Sequence, residues 1–435
     1  MDPTRDGSRQ QPSRRVGESP LPLPFASGLF RLPFVGDAPR FALDKPGFLA
    51  TCHRVFGDTA RLDIGGPTLL LTDPRDVRHV LVTGADAYGK SPRIVGSTAR
   101  KSLGDTIFTV EGDDHVRLRR DTARAFRPRL MATRQPLIER RCEEFVEGAV
   151  ARGWVDSLAH VAPWLAACVV ETLLGVDIAA HDERWPRALE RRRREVEVMV
   201  ARQSVPFLRR WGRIKPIDGE LAALVDGALD APEAPDAPLR SLALSAPGVP
   251  QAQRRDQVVS LLLAAYETTV MMLAWTLDLL ARHPEWQSPC AERSVADRVL
   301  SESLRLAPPT WLVVRIARES DRLPSGVLVP VGCKIYLSPY VSHRRCAAFA
   351  QPETFDPDRF LPDRPVAPFS YFPFGAGARS CLGEGLARGI GTAFLIAMTR
   401  RVTLVPIGAR APRAIGGLTL RPARPVRIAV LPRPR

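Results

Sequence analysis

The stretch FPFGAGARSCLG, residues 372–383, places one cysteine, Cys381, among three glycines and two residues after Arg379. Glycine has no Cβ, so backbone built from it can approach a flat ligand closely. The apolar run GIGTAFLIAMT that follows is helical in pattern, which puts Cys381 near a helix N-terminus, where the dipole lowers a thiol pKa. The stretch therefore predicts a cradle for a flat, metal-bearing ligand. The alternative is a glycine turn with a structural cysteine.

Composition indicates a packed globular protein, because 45% of the 435 residues are hydrophobic and 25% are charged. The seven cysteines form no CxxC pair, which argues against a disulfide framework or a zinc site and favours a reducing, cytoplasmic setting. The N-terminus has no apolar segment typical of a secretion signal. The two most apolar runs, WLAACVVETLLGV and LLLAAYETTVMMLAW, each contain a glutamate, so we expect no membrane span.

The formal net charge of +15 permits a nucleic-acid binder as one interpretation. The basic residues are spread along the chain, however, and arginine far outnumbers lysine, which is typical of a compositional bias of the genome. We therefore expect no nucleic-acid partner. A smaller share of the basic residues is predicted to form a face that docks an acidic protein.

The chain divides into a polar, proline-rich tail over 1–24, predicted to be disordered, and a single domain over 25–432. The domain is predicted to be mainly α with a minor β part. Its most apolar helix is expected over 256–283, ended by Pro284, and a second helix over 296–306, ended by Pro308. The segment ALERRRREVEVMVARQ is predicted to be a helix whose arginines form a solvated face.

The pattern F-x-x-G-x-R-x-C-x-G over residues 374–383 resembles the haem-binding signature of the cytochrome P450 superfamily. The resemblance runs from about residue 24 to residue 432, and it indicates a soluble, bacterial-type member, of actinobacterial biosynthetic character. It implies the P450 fold, a helical domain plus a smaller β-rich region, with haem b between the long distal helix and the helix after the cysteine loop. It also implies that the Cys381 thiolate is the iron ligand.

Two further segments extend the resemblance. Glu302 and Arg305 match the family's E-x-x-R, and their i, i+3 spacing puts both on one helix face. Arg359, in FDPDRF, matches the arginine that completes this structural network. An isolated E-x-x-R would otherwise be a surface ion pair.

The run AAYETT, residues 264–269, resembles the family's oxygen-activating segment on the distal helix. The resemblance implies that Glu267 and Thr268 are catalytic, as the acid and the hydroxyl that relay protons. Ala264 and Ala265 would lie against the haem, and Ala265 stands where the family usually has glycine. Two polar residues on an amphipathic helix are the alternative interpretation.

The resemblance also assigns cations to the haem propionates. His115 and Arg119 are one helical turn apart and share a face, and Arg315 matches a second propionate arginine. The complete cofactor-binding set that the resemblance implies is His115, Arg119, Ala264, Ala265, Arg315, Phe374, Gly375, Arg379, Cys381 and Gly383.

The substrate pocket that the resemblance implies is apolar, which favours a lipophilic substrate such as a terpenoid, a polyketide or a macrocycle. Its predicted lining residues are Ile94, Val95, Leu262, Trp311, Leu312, Val313 and Leu418.

The resemblance implies a monooxygenase that inserts one atom of O2 by C–H hydroxylation or epoxidation. Desaturation, oxidative cyclisation or coupling, and multi-step oxidation remain alternatives, and a non-catalytic haem-thiolate sensor is an alternative of another class. The sequence has no flavin or nucleotide signature. Electrons are therefore expected from NAD(P)H through a separate ferredoxin or flavodoxin and its reductase. We expect a monomer whose docking face includes Arg117, Arg120, Arg124, Arg127 and Arg388.

Overall fold

The structure is a computed structural model. It describes residues 36–91, 100, 103–178, 182–203, 219–231, 237–244 and 249–433. The tail predicted over 1–24 lies outside these residues, as do the predicted pocket residues Ile94 and Val95.

Helices make up most of the described chain, and β-strands form a smaller part, which confirms the predicted fold class. The helices are α1 (Ala38–Leu43), α2 (Lys45–Phe56), α3 (Pro74–Arg78), α4 (Gly112–Ala125), α5 (Pro128–Arg152), α6 (Ala162–Leu174), α7 (Arg184–Gln203), α8 (Gly219–Asp230), α9 (Pro238–Leu244), α10 (Gln251–Arg282), α11 (Arg293–Leu306), α12 (Pro339–Ser342) and α13 (Glu384–Arg401).

The two predicted helix ends agree with the proline signals, whereas both helix starts lie earlier than predicted. α10 ends at Arg282, just before His283-Pro284, and α11 ends at Leu306. α10 begins at Gln251, directly after Pro250. Its first residues, QAQRR, are polar, and the apolar pattern begins only after them. A polar helical start gives no periodic apolar signal to the sequence.

The strands form one mixed sheet and several small antiparallel ones. They are β1 (Thr59–Asp63), β2 (Pro67–Leu71), β3 (Tyr88–Gly89), β4 (Trp154–Asp156), β5 (Val313–Ala317), β6 (Asp321–Arg322), β7 (Leu328–Val329), β8 (Lys334–Leu337), β9 (Val402–Pro406), β10 (Ala414–Gly416), β11 (Leu420–Pro422) and β12 (Arg427–Pro432). The largest sheet has the order β1-β2-β8-β5-β3, in which β2 and β8 are parallel and the other neighbours are antiparallel. A three-stranded sheet has the order β4-β12-β9.

The long helix α10 runs through the core and is buried along most of its length from Gln257 to Ala281. The helix α13 follows the cysteine loop and packs against both α10 and α11, with Gly391 lying between Met272 and Leu300. This packing fixes the cysteine loop relative to the distal helix.

Two described segments, Ser157–Leu174 and Gln251–Arg282, are long and apolar enough to cross a membrane by length and composition. Their most apolar windows are 67% and 83% buried inside the fold, however. Core helices of globular proteins have the same composition, so burial in the protein accounts for both segments.

Candidate active site

The cysteine loop is closed by its own backbone. The Cys381 N–H donates to the Phe374 carbonyl at 2.8 Å, and Gly375 and Gly377 both have positive φ, at 70° and 69°. A Cβ at Gly377 would lie 2.1 Å from the Leu81 carbonyl oxygen, whereas one at Gly375 would meet nothing closer than 4.0 Å. Gly377 is therefore needed for close backbone packing, and Gly375 keeps one side of the loop open.

Cys381 precedes α13, which begins at Glu384. Its side chain is solvent-exposed, yet the surrounding protein desolvates its thiol, and we call this place the recess. Burial of this recess raises the pKa of the Cys381 thiol, and a hydrogen bond from the Gly383 backbone only partly offsets that effect. The N–H donor at the helix N-terminus therefore lowers this pKa as expected, but desolvation outweighs it in the chain alone and the net shift is upward. A bound metal ion would supply the missing stabilisation of the thiolate.

Cations surround the cysteine loop. Arg119 donates to the Ser380 hydroxyl at 3.1 Å, and Arg379 donates from Nη2 to Glu111 at 3.2 Å. The Nη1 atom of Arg379 is buried and has no hydrogen-bond partner in the protein. Burial and the neighbouring charges of Arg379, Lys90 and Arg119 lower the pKa of His115 to about 4. His115 is therefore neutral and donates one hydrogen bond at most from its ring.

Arg315, on β5, belongs to the same group of cations. Burial and the positive charge of Arg379 lower its pKa to about 10. One of its N–H groups donates to the Val314 carbonyl at 3.0 Å.

These residues fit a haem. A cysteine with an accessible sulfur, a loop that Gly375 leaves open, and a buried guanidinium N–H of Arg379 without a protein partner match an iron porphyrin that carries two carboxylates. Cys381 would hold the iron. Arg379, Arg119, Arg315 and His115 would hold the propionates.

Beneath the loop, α11 carries a fully buried ion pair. Arg305 donates from Nε and Nη2 to the two carboxylate oxygens of Glu302 at 2.6 and 2.8 Å, and both side chains have 0% exposure. Arg305 also donates to the backbone carbonyls of His343, Pro352 and Thr354, which uses all five of its N–H groups. Arg359 Nε lies 3.4 Å from Glu302, so the three residues of the predicted network lie together.

His343 connects this network to the cysteine loop, and the sequence reasoning missed it. Its carbonyl accepts from Arg305 at 3.0 Å, and its ring Nε2 accepts from the Phe372 N–H at 2.9 Å. Phe372 is the first residue of the cysteine stretch. Burial and the charge of Arg305 lower the pKa of His343 to about 3, so the ring is a neutral acceptor. A histidine in the run SPYVSHRR was the available signal.

On α10, the predicted acid and hydroxyl have different environments. The Thr268 hydroxyl donates to the Ala264 carbonyl at 2.7 Å, and Thr268, Ala264 and Ala265 are all half-buried. Glu267 is buried, and its carboxylate accepts from the Thr419 hydroxyl at 2.6 Å. Burial raises the pKa of Glu267 despite that hydrogen bond and despite nearby positive charges.

Those charges belong to an ion cluster that was not predicted. Arg193 Nε lies 3.5 Å from Glu267, and Arg193 donates to Glu190 at 2.7 and 2.8 Å and to Glu197 at 2.6 Å. Arg421 pairs with Glu197 at 2.9 Å and lies 3.9 Å from Glu267. We call these five residues, Glu190, Arg193, Glu197, Glu267 and Arg421, the distal ion cluster.

The distal ion cluster corrects the interpretation of α7 as a helix with solvated arginines. Arg192 and Arg193 are only 1% and 5% exposed, because α7 turns this face toward α6 and α10. The neighbouring Arg194 is exposed, as predicted.

The predicted pocket residues are placed unevenly. Leu262 has no exposed surface and packs in the core, and Trp311 is nearly buried, with its indole N–H donating to the Gly417 carbonyl at 3.1 Å. In this structure these two side chains belong to the buried core, and their role in the substrate pocket stays a prediction. Leu312, Val313 and Leu418 are half-buried.

Comparisons with known proteins agree with this geometry. A family model described as Cytochrome P450 matches residues 248–428. The chain is 31% identical to cyclooctatin synthase of Streptomyces melanosporofaciens, over 93% of this chain and 94% of that protein. It is 36% identical to pentalenene oxygenase of Streptomyces avermitilis over 173 residues, which are 35% of this chain and 38% of that protein.

Proposed function

The chain belongs to the cytochrome P450 family and is a monooxygenase of that family, and we propose that it inserts one oxygen atom from O2 into a terpenoid. The names of the two Streptomyces relatives, a cyclooctatin synthase and a pentalenene oxygenase, support this substrate class. The observation that carries the haem-dependent oxygenation is the accessible Cys381 side chain in a recess ringed by cations.

In this proposal, Cys381 binds the iron of haem b, and Arg119, Arg315, Arg379 and His115 bind its propionates. When bound, the haem supplies the activation of O2. The Glu302–Arg305 pair, with Arg359 and His343, connects α11 to the cysteine loop and holds the loop in position.

Thr268 and Glu267 move the protons. The half-buried Thr268 hydroxyl is held by the Ala264 carbonyl, so its oxygen is oriented and able to accept a hydrogen bond from the recess. Glu267 holds a proton more readily than a free glutamate because burial raises its pKa. The distal ion cluster and Thr419 give the Glu267 carboxylate a fixed position from which it exchanges that proton.

Electrons come from NAD(P)H through a ferredoxin or flavodoxin and its reductase, with the protein acting as a monomer in the cytoplasm. The docking face is the outer side of α4. Arg117, Arg120 and Arg124 are exposed there, and the predicted Arg127, two residues after α4, is also exposed, whereas His115 on the same helix is buried. Arg388, also predicted for this face, is only 25% exposed and pairs with Glu384 and Asp297, so we leave it out of the docking face.

The test is turnover under isotopically heavy O2 with a surrogate ferredoxin, its reductase and NADPH. Cyclic terpene hydrocarbons are the candidate substrates, and a macrolide and an aromatic polyketide are the controls. The proposal predicts a terpenoid product that carries one heavy oxygen atom. A dehydrogenated or cyclised product without the label would favour the alternative P450 reactions. Labelled product from the polyketide or macrolide alone would overturn the terpenoid assignment.

A further inference from the structure

Lys90 is a half-buried lysine beside the cations of the cysteine loop, and no part of the proposed function uses it. It follows β3, and its ammonium donates to the backbone carbonyls of Ile107 and Phe108 at 3.0 and 2.8 Å. An ammonium has three N–H donors, so one remains after these two bonds. Only five of the 62 basic residues of the chain are lysines, so a lysine here departs from the strong arginine bias.

Lys90 lies among the cations of the cysteine loop. Burial and the positive charges of Arg379 and Arg315 lower the pKa of its ammonium to about 7, and Lys90 in turn helps to lower the pKa of His115. The electrostatic coupling runs to three of the residues assigned to the propionates. Lys90 is therefore part of that group in space, although it is far from the cysteine stretch in sequence.

One carboxylate, Glu111, holds this group together. Its Oε1 accepts from the Lys90 backbone N–H at 2.8 Å and from Arg379 at 3.2 Å, and its Oε2 accepts from Arg318 at 2.8 Å. Glu111 precedes α4, which carries His115 and Arg119. A single carboxylate therefore connects Lys90, the cysteine loop and Arg318, which directly follows β5.

The charges in this group do not balance. Within the described ranges, Glu111 is the one carboxylate that interacts with this group of cations. The cations are Lys90, Arg119, Arg315, Arg318 and Arg379. Bringing so many positive charges together under partial burial is unfavourable unless anions join them. Two carboxylates of a ligand would neutralise part of this excess positive charge.

We propose that Lys90 binds a haem propionate through its third N–H, and that Glu111 is the positioning residue that sets Lys90 and Arg379 beside each other. This inference rests on the haem binding of the proposed function. A lysine suits the position because its ammonium, unlike a guanidinium, loses its proton readily when buried among cations. Lys90 can therefore lose its proton when no anion is near and becomes fully charged when a propionate binds.

The test measures the rate of haem loss to excess apomyoglobin for the wild type and Lys90→Met. Each protein is loaded with haem or with haem whose two propionates are methyl esters. Loss of a charge-assisted hydrogen bond predicts roughly tenfold faster loss of haem from Lys90→Met. With the dimethyl ester, both proteins should lose cofactor at rates within about twofold of each other, because the anion is gone.

Lys334→Met is the matched control. The Lys334 ammonium also donates to two backbone carbonyls, those of Ile64 and Gly65, each at 2.7 Å. Because it plays the same local role away from the cysteine loop, its haem loss should stay within about twofold of the wild type.

Faster loss of both cofactors from Lys90→Met, by the same factor, would mean that Lys90 only fixes the loop of Ile107 and Phe108, and would overturn the proposal. If Lys90→Met yields no holoprotein, Lys90→Gln, which can still donate to a backbone carbonyl but carries no charge, replaces it in the same comparison and must show the difference with haem alone. A wild type that binds no haem would refute the proposed function itself. A wild type that holds haem as tightly as Lys90→Met would refute only this inference.

Discussion

The Nε atom of Arg193, on α7, lies 3.5 Å from a carboxylate oxygen of Glu267, on the long helix α10. Both side chains are buried, at 6% and 5% exposure, so water screens their attraction poorly. The pair joins the proposed proton-transfer residue to a helix that sequence reasoning placed at the surface. It makes Arg193 a residue that positions Glu267.

Arg193→Gln should lower the free energy of unfolding by about 3 kcal/mol, because it leaves three buried or half-buried carboxylates without their shared cation. Arg194→Gln is the matched control. Arg194 pairs with the same Glu190 but is 70% exposed, so its loss should cost less than about 1 kcal/mol. Denaturant unfolding of both holoproteins measures the difference. Equal effects of the two substitutions would show that the Arg193 pairs contribute no more than a surface ion pair.

The hydroxyl of Thr419 stabilises the ionised form of Glu267 by donating to it at 2.6 Å. Thr419→Val keeps the side-chain shape and removes the donor, so the pKa of Glu267 should rise further. The pH profile of product formation should then shift to higher pH. Thr419→Ser, which keeps the hydroxyl, should retain the wild-type profile. An unshifted profile for Thr419→Val would separate Glu267 from the rate-limiting protonation.

The residues that sequence reasoning located are those whose partners lie within one motif. Glu302 and Arg305 are three residues apart on one helix, so their spacing alone predicts a pair. The sequence could not show that this pair is buried, because an exposed pair has the same spacing. The Cys381 loop was also predictable, since its closing hydrogen bond joins Cys381 to Phe374 within the same stretch.

The sequence did not predict the distal ion cluster or the cations around Lys90, because the partners in each lie far apart along the chain. Arg193 meets Glu267 only because α7 packs across α6 and α10, and a run of four arginines looks solvated by every local criterion. Lys90 depends on carbonyls of Ile107 and Phe108, and backbone acceptors carry no sequence signal. Tertiary packing, rather than local pattern, decided both sites.

Arg305→Lys should destabilise the holoprotein by more than about 3 kcal/mol, because a lysine cannot replace five N–H bonds to Glu302 and three buried carbonyls. Its proper control is Arg293→Lys, on the first turn of the same helix. Arg293 is 62% exposed and pairs with Glu139 at 3.5 Å, so this change should be nearly neutral. Thermal unfolding followed by the haem absorbance compares the two. A neutral Arg305→Lys would show that the buried network is not what holds the cysteine loop.

The buried ring of His343 should make the protein sensitive to acid. Its pKa is about 3 when folded against an ordinary value of 6.5, so between these pH values the unfolded chain binds a proton there and the folded chain does not. Stability from this group is complete above about pH 6.5 and is lost at about 1.4 kcal/mol per pH unit as the pH falls toward 3.

His343→Gln should flatten that part of the acid dependence, since the glutamine amide oxygen can still accept from Phe372 but does not titrate. Unfolding free energies of the wild type and the variant between pH 7 and pH 4 provide the comparison. Identical slopes would mean that folding does not lower the pKa of His343.

The central claim is that Cys381 binds a haem iron as a thiolate, and the spectrum of the reduced protein with carbon monoxide tests it most directly. The wild type should show the red-shifted Soret band of thiolate ligation, and Cys381→Ser should lose it. Cys346→Ser is the control, because Cys346 is the other exposed cysteine among the described residues, and this variant should keep the band. A colourless wild type, or a red-shifted band that persists in Cys381→Ser, would contradict the account.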